Sequence, residues 1–418
     1  MVRKTVIFLL VMLTLTFTCF ASGTAEKDDG PVTLEVWSRG EEIKDFIPGF
    51  EALHPDIKVN VTVIPDAEMT PKLITVLASG SGVPDLFMHE ANYIKYLVEA
   101  DCYADLLDEP YNAGELASGI WQPVIDVGTD STGALRVLSW QASPGSIIYR
   151  RDIALEVLGT DDPDEISSMM DTQEEFLDVA RKMKENGYIM VSTTKDLFDM
   201  MVAARENPWV VDGKLVIDDI LLDFMDMAKE ISDNGYDLGV DQWAAEWNAA
   251  VEGDELFCYI LPSWGYQFVV KPAAVKTMGK WGIAQPPVPY INGGSYLGIY
   301  KDTEHPEEAW LFLQYVCLNE DAQYEYAKAT GDYVSLMAVD ERLASEDGED
   351  VLAGQNPYQM YNAEMAQDFT YLSTIYDSSL NNYFLSAVKA YQNGMSRADA
   401  IEQFKNDVRQ AYPEIVIE

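Results

Sequence analysis

Positive charge is scarce in this chain. Lys and Arg number 28 against 70 Asp and Glu, giving a formal net charge of −42 at pH 7. No nucleic acid is expected as a partner, because neutralising phosphate requires the opposite sign. Anionic membrane surfaces are excluded on the same ground. Such charge favours a soluble monomer and costs self-repulsion that salt screens. Cysteine is almost missing as well. Of the 4 cysteines, Cys19 falls in the N-terminal leader, and Cys102, Cys258 and Cys317 are too few for a disulfide framework. Each is expected to be buried and unreactive. The 3 histidines, His54, His89 and His305, show no metal-ligand spacing. In TVLASGSGVPDLFMHE (75–90) no lysine follows the glycines, so a phosphate loop is excluded. GGSYL (293–297) carries Leu297 where a nucleophile elbow requires its second glycine, and no EF-hand pattern occurs. Neither a metal nor an organic cofactor is therefore expected. A Gly/Ser linker, an internal repeat and a long apolar run beyond the leader are also missing.

What is present begins with an export signal. Arg3 and Lys4 precede an apolar run from Val6 to Phe17 and then small residues, the pattern of a secretory signal peptide over residues 1–25. Its removal takes the charge to −44, since Arg3 and Lys4 leave with it. Cleavage after Gly23 or Ala25 is expected; lipid attachment at Cys19 is the alternative, with Phe17 and Thr18 a poor context for it. The product is exported to the periplasm or to the outer face of the cytoplasmic membrane.

A chain of 418 residues with 48% apolar and 11% aromatic residues predicts two domains with substantial cores. Alternation marks strands at VTLEVWS and IKVNVTVIP, and PDLFMH reads as a buried strand. Helical spacing marks EEIKDFIPGFEALHP, with Ile43, Phe46, Ile47, Phe50 and Leu53 on one face and Pro48 forcing a kink or a late start. Further helices are predicted at about 67–78, at NYIKYLVEA, and at 172–187, 220–235, 306–328, 378–393 and 396–411. DELFCYILP and GGSYLGIY read as later strands. Strand and helix alternate at the start, which predicts a parallel sheet with right-handed crossovers. In such sheets ligands sit beyond the carboxyl ends of the strands. His89 and Glu90, with Asn92 close behind, end one strand there. Several aromatic rings also stand beside turns: Trp37, Trp140 before Gln141, Trp243 and Trp247 around Glu246, Trp264 in LPSWGYQF, and Tyr296 after Gly293 and Gly294. Rings so placed can stack on apolar faces of a ligand while neighbouring polar groups bind its hydroxyls. Trp264, bracketed by Pro262 and Gly265, is expected to wait in an open cleft, packed against little. Trp281 and Trp310 are assigned to the core.

The blocks VTLEVWS, FEALHPDIKVNVT, LASGSGVPDLF, GSIIYRRD, LPSWGYQF, GGSYLGIY and PEEAWLFLQYVCLNEDAQYEYAKATGDYVS, in this order, resemble those of the extracellular solute-binding proteins of family 1, carbohydrate-binding components of bacterial ABC importers. The resemblance implies an α/β, two-domain periplasmic-binding-protein (type II) fold, each domain a mainly parallel sheet flanked by helices, with the ligand cleft between. It also implies a ligand site at Ser38, Arg39, Tyr149, Trp264, Gly294, Ser295 and Tyr333, alongside His89, Glu90, Trp140 and Tyr296. The expected domains are 31–125 plus 268–330 and 126–267 plus 331–418. The implied function is capture of a mono- or oligosaccharide, acidic if Arg39 pairs with a uronic acid, and delivery to the membrane permease subunits of an ABC transporter, without catalysis. A secreted glycan-active enzyme and a ligand-presenting sensor subunit of the same fold are the alternatives. YRRD, in place of tyrosine followed by Asn and Lys, and Val334, in place of proline, depart from the family pattern.

Overall fold

The computed structural model describes residues 30–367 and 372–417. The leader at 1–25 and Cys19 lie outside the described residues. Among the described residues there are eleven strands: β1 Val32–Ser38, β2 Ile57–Val63, β3 Leu86–Glu90, β4 Leu138–Ser139, β5 Ile147–Arg150, β6 Ile189–Val191, β7 Val210–Val211, β8 Lys214–Leu215, β9 Leu256–Ile260, β10 Trp281–Ala284 and β11 Ser295–Ile299. They form one sheet of order β2-β1-β3-β11-β4, a second of order β10-β5-β9-β6, and the small β7-β8 hairpin.

The alternation of VTLEVWS buries Leu34 and Val36 and exposes Thr33 and Glu35, so β1 has a core face from its first residues. LFMHE is buried at every position, as expected of a strand covered on both faces. The helix Asp66–Ser79 that feeds it stops at Gly80, whose φ of 63° suits a residue without Cβ; its N–H donates to the Val76 carbonyl at 2.9 Å. That is the structural role of the small-residue run. Pro48 falls in the first turn of the helix Ile47–Leu53, preceded by a tighter 3₁₀ segment Glu42–Phe46, so the late start is what occurs. Leu53, expected on the buried face, is 64% exposed, because the helix ends there and the chain turns away at His54.

Both sheets are mixed rather than mainly parallel. β1 pairs parallel with β2 and β3, while β11 pairs antiparallel with β3 and β4. In the second sheet β6 and β9 are parallel, and β5 is antiparallel to both β9 and β10. Two cores are present: one under the first sheet that extends onto one face of the second through Ile148, Tyr259 and Trp281, and one on the other face of the second sheet around Ile147, Tyr149 and Cys258. Phe50 meets Phe312 at 5.0 Å in the first, and Trp209 meets Phe384 and Phe404 at 5.4 and 5.3 Å in the second. Trp281 and Trp310 are buried, as expected, and Cys102, Cys258 and Cys317 are buried free thiols.

Strand pairing moves the crossings between the two units. β4, expected in the second unit, pairs with β11 in the first sheet, and β10, expected in the first, pairs with β5 in the second. Tyr333, Val334 and Leu336 belong to the first core, tied to it by the Gln141–Val334 bridge, although 331–418 was assigned to the second. The chain thus crosses between β4 and β5 and between β10 and β11, and the closing helices Asp377–Gln392 and Arg397–Ala411 pack into the second core. The predicted single helix over 306–328 is two, Pro306–Leu318 and Glu320–Thr330. Asn319 leaves helical geometry and its side chain caps the second by accepting from the Ala322 N–H.

Candidate functional site

The carboxyl ends of β1 and β3 and the segment leading into β11 converge on one edge of the first sheet. Ser295 stands opposite Glu90 in the β3–β11 register, and the Ala91 N–H donates to the Gly294 carbonyl at 3.1 Å. Glu90 caps the helix Ala91–Glu99: its carboxylate accepts from the Asn92 N–H at 3.0 Å and from Asn92 Nδ2 at 3.1 Å. Asn92 Nδ2 also reaches Asn292 Oδ1 at 3.1 Å. Facing this edge is a wall from the second unit. The helix Thr194–Ala203 contributes Lys195 and Asp199, an ion pair at 2.6 Å, and the loop before Ala245–Ala249 contributes Gln242 and Trp243. Beyond β9 the chain turns through Pro262 and Ser263 into a wide π-type turn, Gly265–Val270, that carries Trp264 at its start and Phe268 inside it.

Between edge and wall lies a cleft of about 490 Å³, lined by Arg39, Glu42, Glu90, Gln141, Gly293, Gly294 and Asp332 on one side and by Lys195, Asp199, Gln242, Trp243, Trp264 and Phe268 on the other, with Asn92, Tyr93, Ser143 and Asn292 between them. Trp243 stacks on Trp264 with ring centroids 5.4 Å apart and planes at 23°. The Trp264 indole N–H donates to the Asn292 carbonyl at 2.9 Å. Trp264 is half-buried and packs against the first core, so it does not stand loose in an open cleft as its sequence context predicted. Asp332 is buried; burial pushes its carboxyl up to about 6, against the opposing pull of hydrogen bonds from Gln141 and from the Tyr326 hydroxyl at 3.0 Å. Beneath the loop of Trp243, Asp196 is buried and pushed up to about 7 by the same cause, while Ser192, Gln242 (3.0 Å) and Trp247 (3.4 Å) donate to it. Two basic against four acidic side chains line the cleft.

A family model for bacterial extracellular solute-binding proteins matches residues 46–346. The chain belongs to that family. A structure described as an extracellular solute-binding protein of family 1 superposes with a TM-score of 0.82 at 22% identity, covering 91% of this chain and 100% of that one. The sugar-binding protein MalE of Xanthomonas citri gives 0.73 at 17% identity, over 91% of this chain and 97% of that one. The galacto-N-biose/lacto-N-biose I-binding protein of the ABC transporter of Bifidobacterium longum, solved with lacto-N-biose, gives 0.72 at 18% identity, over 94% and 100%. Comparison with curated proteins gave no match. The fold is the two-domain α/β fold of these solute-binding proteins, and the cleft lies where its two units meet.

Of the residues assigned to the ligand site in sequence, Arg39, Glu90, Trp264 and Gly294 line this cleft, together with Asn92, Gln141, Trp243 and Gly293, which were noted beside them. The others serve it from behind or lie elsewhere. Ser38 Oγ donates to the Gly40 carbonyl at 2.8 Å and shapes the turn that presents Arg39. Ser295 Oγ lies 3.5 Å from Arg39 Nε, and the Tyr296 ring packs beneath Gly294. His89 is fully buried, bonded through Nε2 to Thr70 Oγ1 at 2.9 Å, with its Nδ1 accepting from the Glu90 N–H. Trp140 is buried against Phe46. Tyr149 is inside the second unit, donating to the Asp161 carbonyl at 2.6 Å, and burial raises its phenol. Tyr333 donates to Asn362 Oδ1 at 2.7 Å and stacks on Tyr358. Tyr149 and Tyr333 stand at element ends, as cleft rings do, but their hydroxyls are already satisfied within the protein. Lys195, Asp199, Gln242, Phe268 and Asp332 were not picked out in sequence. Lys195 and Asp199 are one turn apart on a helix with no motif around them. Among the described residues, no group of three or more His, Cys, Asp or Glu could hold a metal ion, and no helix is long and apolar enough to cross a membrane.

Proposed function

We propose that the protein is an exported receptor that captures a carbohydrate between its two units and hands it to the permease subunits of an ABC importer, as a monomer and without cleaving a bond. One observation carries the reading: a tryptophan pair and a ring of polar side chains, drawn from both units, line one cleft of about 490 Å³. A pyranose offers an apolar C–H face and a polar rim of hydroxyls, which is what indole faces and hydrogen-bonding amides and carboxylates recognise together. Ligand touching both walls favours the closed arrangement through contacts the open one lacks. The solved relatives that bind lacto-N-biose, β-1,6-galactobiose and acarbose lend the reading its substrate class. The excess of carboxylates over basic groups favours a neutral sugar over the acidic one suggested by Arg39.

A thermal-shift panel of neutral and uronic-acid mono- and oligosaccharides tests this, since a ligand at 100 times its Kd stabilises the folded state by about 2.7 kcal/mol. A neutral oligosaccharide should raise the melting temperature. A panel without any shift would remove the carbohydrate reading, and a preference for the uronic acids would remove the neutral one. Chromatography of the sugars after incubation should return them uncleaved. Delivery is read from ATP hydrolysis by the reconstituted permease, which ligand-loaded protein should stimulate above the empty protein.

A further inference from the structure

Trp243 has an odd conformation for a residue that is 57% exposed. Its φ is +69°, a left-handed backbone that bulky side chains rarely adopt and that persists only where the surroundings hold it. The surroundings do hold it. Asp241 pairs with Lys389 at 2.8 Å, Gln242 and Trp247 both donate to Asp196, and the Ala244 N–H closes a turn on the Asp241 carbonyl at 3.1 Å. The consequence is the position of one ring. Trp243 stacks on Trp264 at 5.4 Å and 23°, lies 5.2 Å from the fully buried Trp247 at 51°, and lines the cleft while more than half of it stays exposed. Trp264 is fixed more tightly still. Its N–H is spent on Asn292, its pyrrole edge lies where a Cβ on Gly293 would come within 3.2 Å, and Trp243 covers a face.

We infer that Trp243, and not Trp264, is the ring on which the ligand lies, and that Trp264 is a positioning residue that sets the plane of Trp243. The inference rests on the carbohydrate reading above and names the platform: an indole more than half exposed at the cleft, with Phe268, 50% exposed on the neighbouring turn, also lining the cleft. Such a platform selects sugars with an uninterrupted C–H face, because an axial hydroxyl pointing at the ring would lose its water without gaining a partner. The strained loop is the means of delivery. A tryptophan at a relaxed φ in the same place would leave from the backbone in a different direction.

The experiment is calorimetric titration of wild type, Trp243→Ala and Trp243→Phe with acarbose, β-1,6-galactobiose and lacto-N-biose, with the melting temperature of each empty protein measured beside it. Wild type should bind at least one of the three. Trp243→Ala should weaken that binding by about tenfold or more, as expected for losing a stacked ring and its buried area. Trp243→Phe should recover most of the loss, and the empty proteins should melt within a few degrees of each other because the ring is largely exposed. If wild type binds and Trp243→Ala binds equally well or more tightly, the ring only caps the cleft and this inference falls alone. If wild type binds none of the three and no sugar of the panel above, the carbohydrate reading falls and takes the inference with it; if it binds another sugar of that panel, the same comparison is made with that sugar. Should Trp243→Ala unfold the protein, or Trp243→Phe bind as poorly as Trp243→Ala while both remain folded, the platform assignment is likewise overturned.

Discussion

The two walls of the cleft are made in different ways. On the first-sheet side, Arg39, Glu90 and Gly294 come from the ends of strands whose register fixes them, and the glycines keep the edge low. On the second side Lys195 and Asp199 come from a helix face, Trp243 from a strained loop and Trp264 and Phe268 from a wide turn. The indole rings are all on this side; the polar edge faces them. The first wall therefore inherits its precision from hydrogen-bonded backbone, and the second must obtain it from side chains holding side chains. Local substitutions should expose that difference.

Acidification should have the largest effect, because it acts on both walls together. Asp332 behind the first wall is pushed up to about 6, Asp196 behind the second to about 7, and Glu364, buried beside Tyr290, to about 8, each mainly by burial. A carboxyl whose pKa is raised by folding binds its proton more tightly folded than unfolded. Its charge is thus a cost above the folded pKa, relieved as pH falls towards the unfolded value near 4. The melting temperature should rise from pH 8 to pH 5, each unit of raised pKa being worth about 1.4 kcal/mol. High salt removes the competing contribution of self-repulsion from a net charge of −42. In that salt Asp196→Asn should flatten the upper part of the profile and Asp332→Asn the lower part. A melting temperature that falls on mild acidification would contradict the burial argument.

Trp264→Ala comes next. It removes a half-buried ring, its bond to Asn292 and the support of Trp243, so the empty protein should lose on the order of 3 kcal/mol in denaturant titration as well as affinity. This separates it from Trp243→Ala, which should lose affinity alone; equal stability losses would erase the distinction between platform and support. Gly293→Val tests the low edge. Gly293 has a φ of 108°, and a Cβ there meets Trp264 at 3.2 Å, so the substitution should cost about 1–3 kcal/mol. The smallest effect is that of Glu90→Ala, which removes a helix cap worth about 1 kcal/mol. Glu90→Gln, which keeps an acceptor, should restore most of it by the same denaturant measurement.

The first wall was far more legible in sequence than the second, for the same physical reason. Alternation in VTLEVWS and the buried run LFMHE locate strand ends, and Arg39, Glu90 and Gly294 follow from those ends. Trp264 was found because Pro262 and Gly265 bracket it, but its neighbour Trp243 was not ranked, since a positive φ on tryptophan has no compositional signal. The crossings were misplaced because β4 is two residues long, too short for any period, and because antiparallel return strands look like parallel ones in a single sequence. Leu318 and Glu320 looked continuous in spacing, and only the cap made by Asn319 reveals the break between their helices.

The latest residues of each core set the order in which the molecule can be completed. The first core needs residues as late as Met365, and the second needs Phe384, Phe404 and Ile415, so neither can close while the C-terminal part of the chain is still missing. Contacts between such distant segments are entropically slow to form. A chain emerging from its N-terminus, from a ribosome or through a narrow channel, therefore stays open for most of its passage and completes its two cores only when its last two helices arrive.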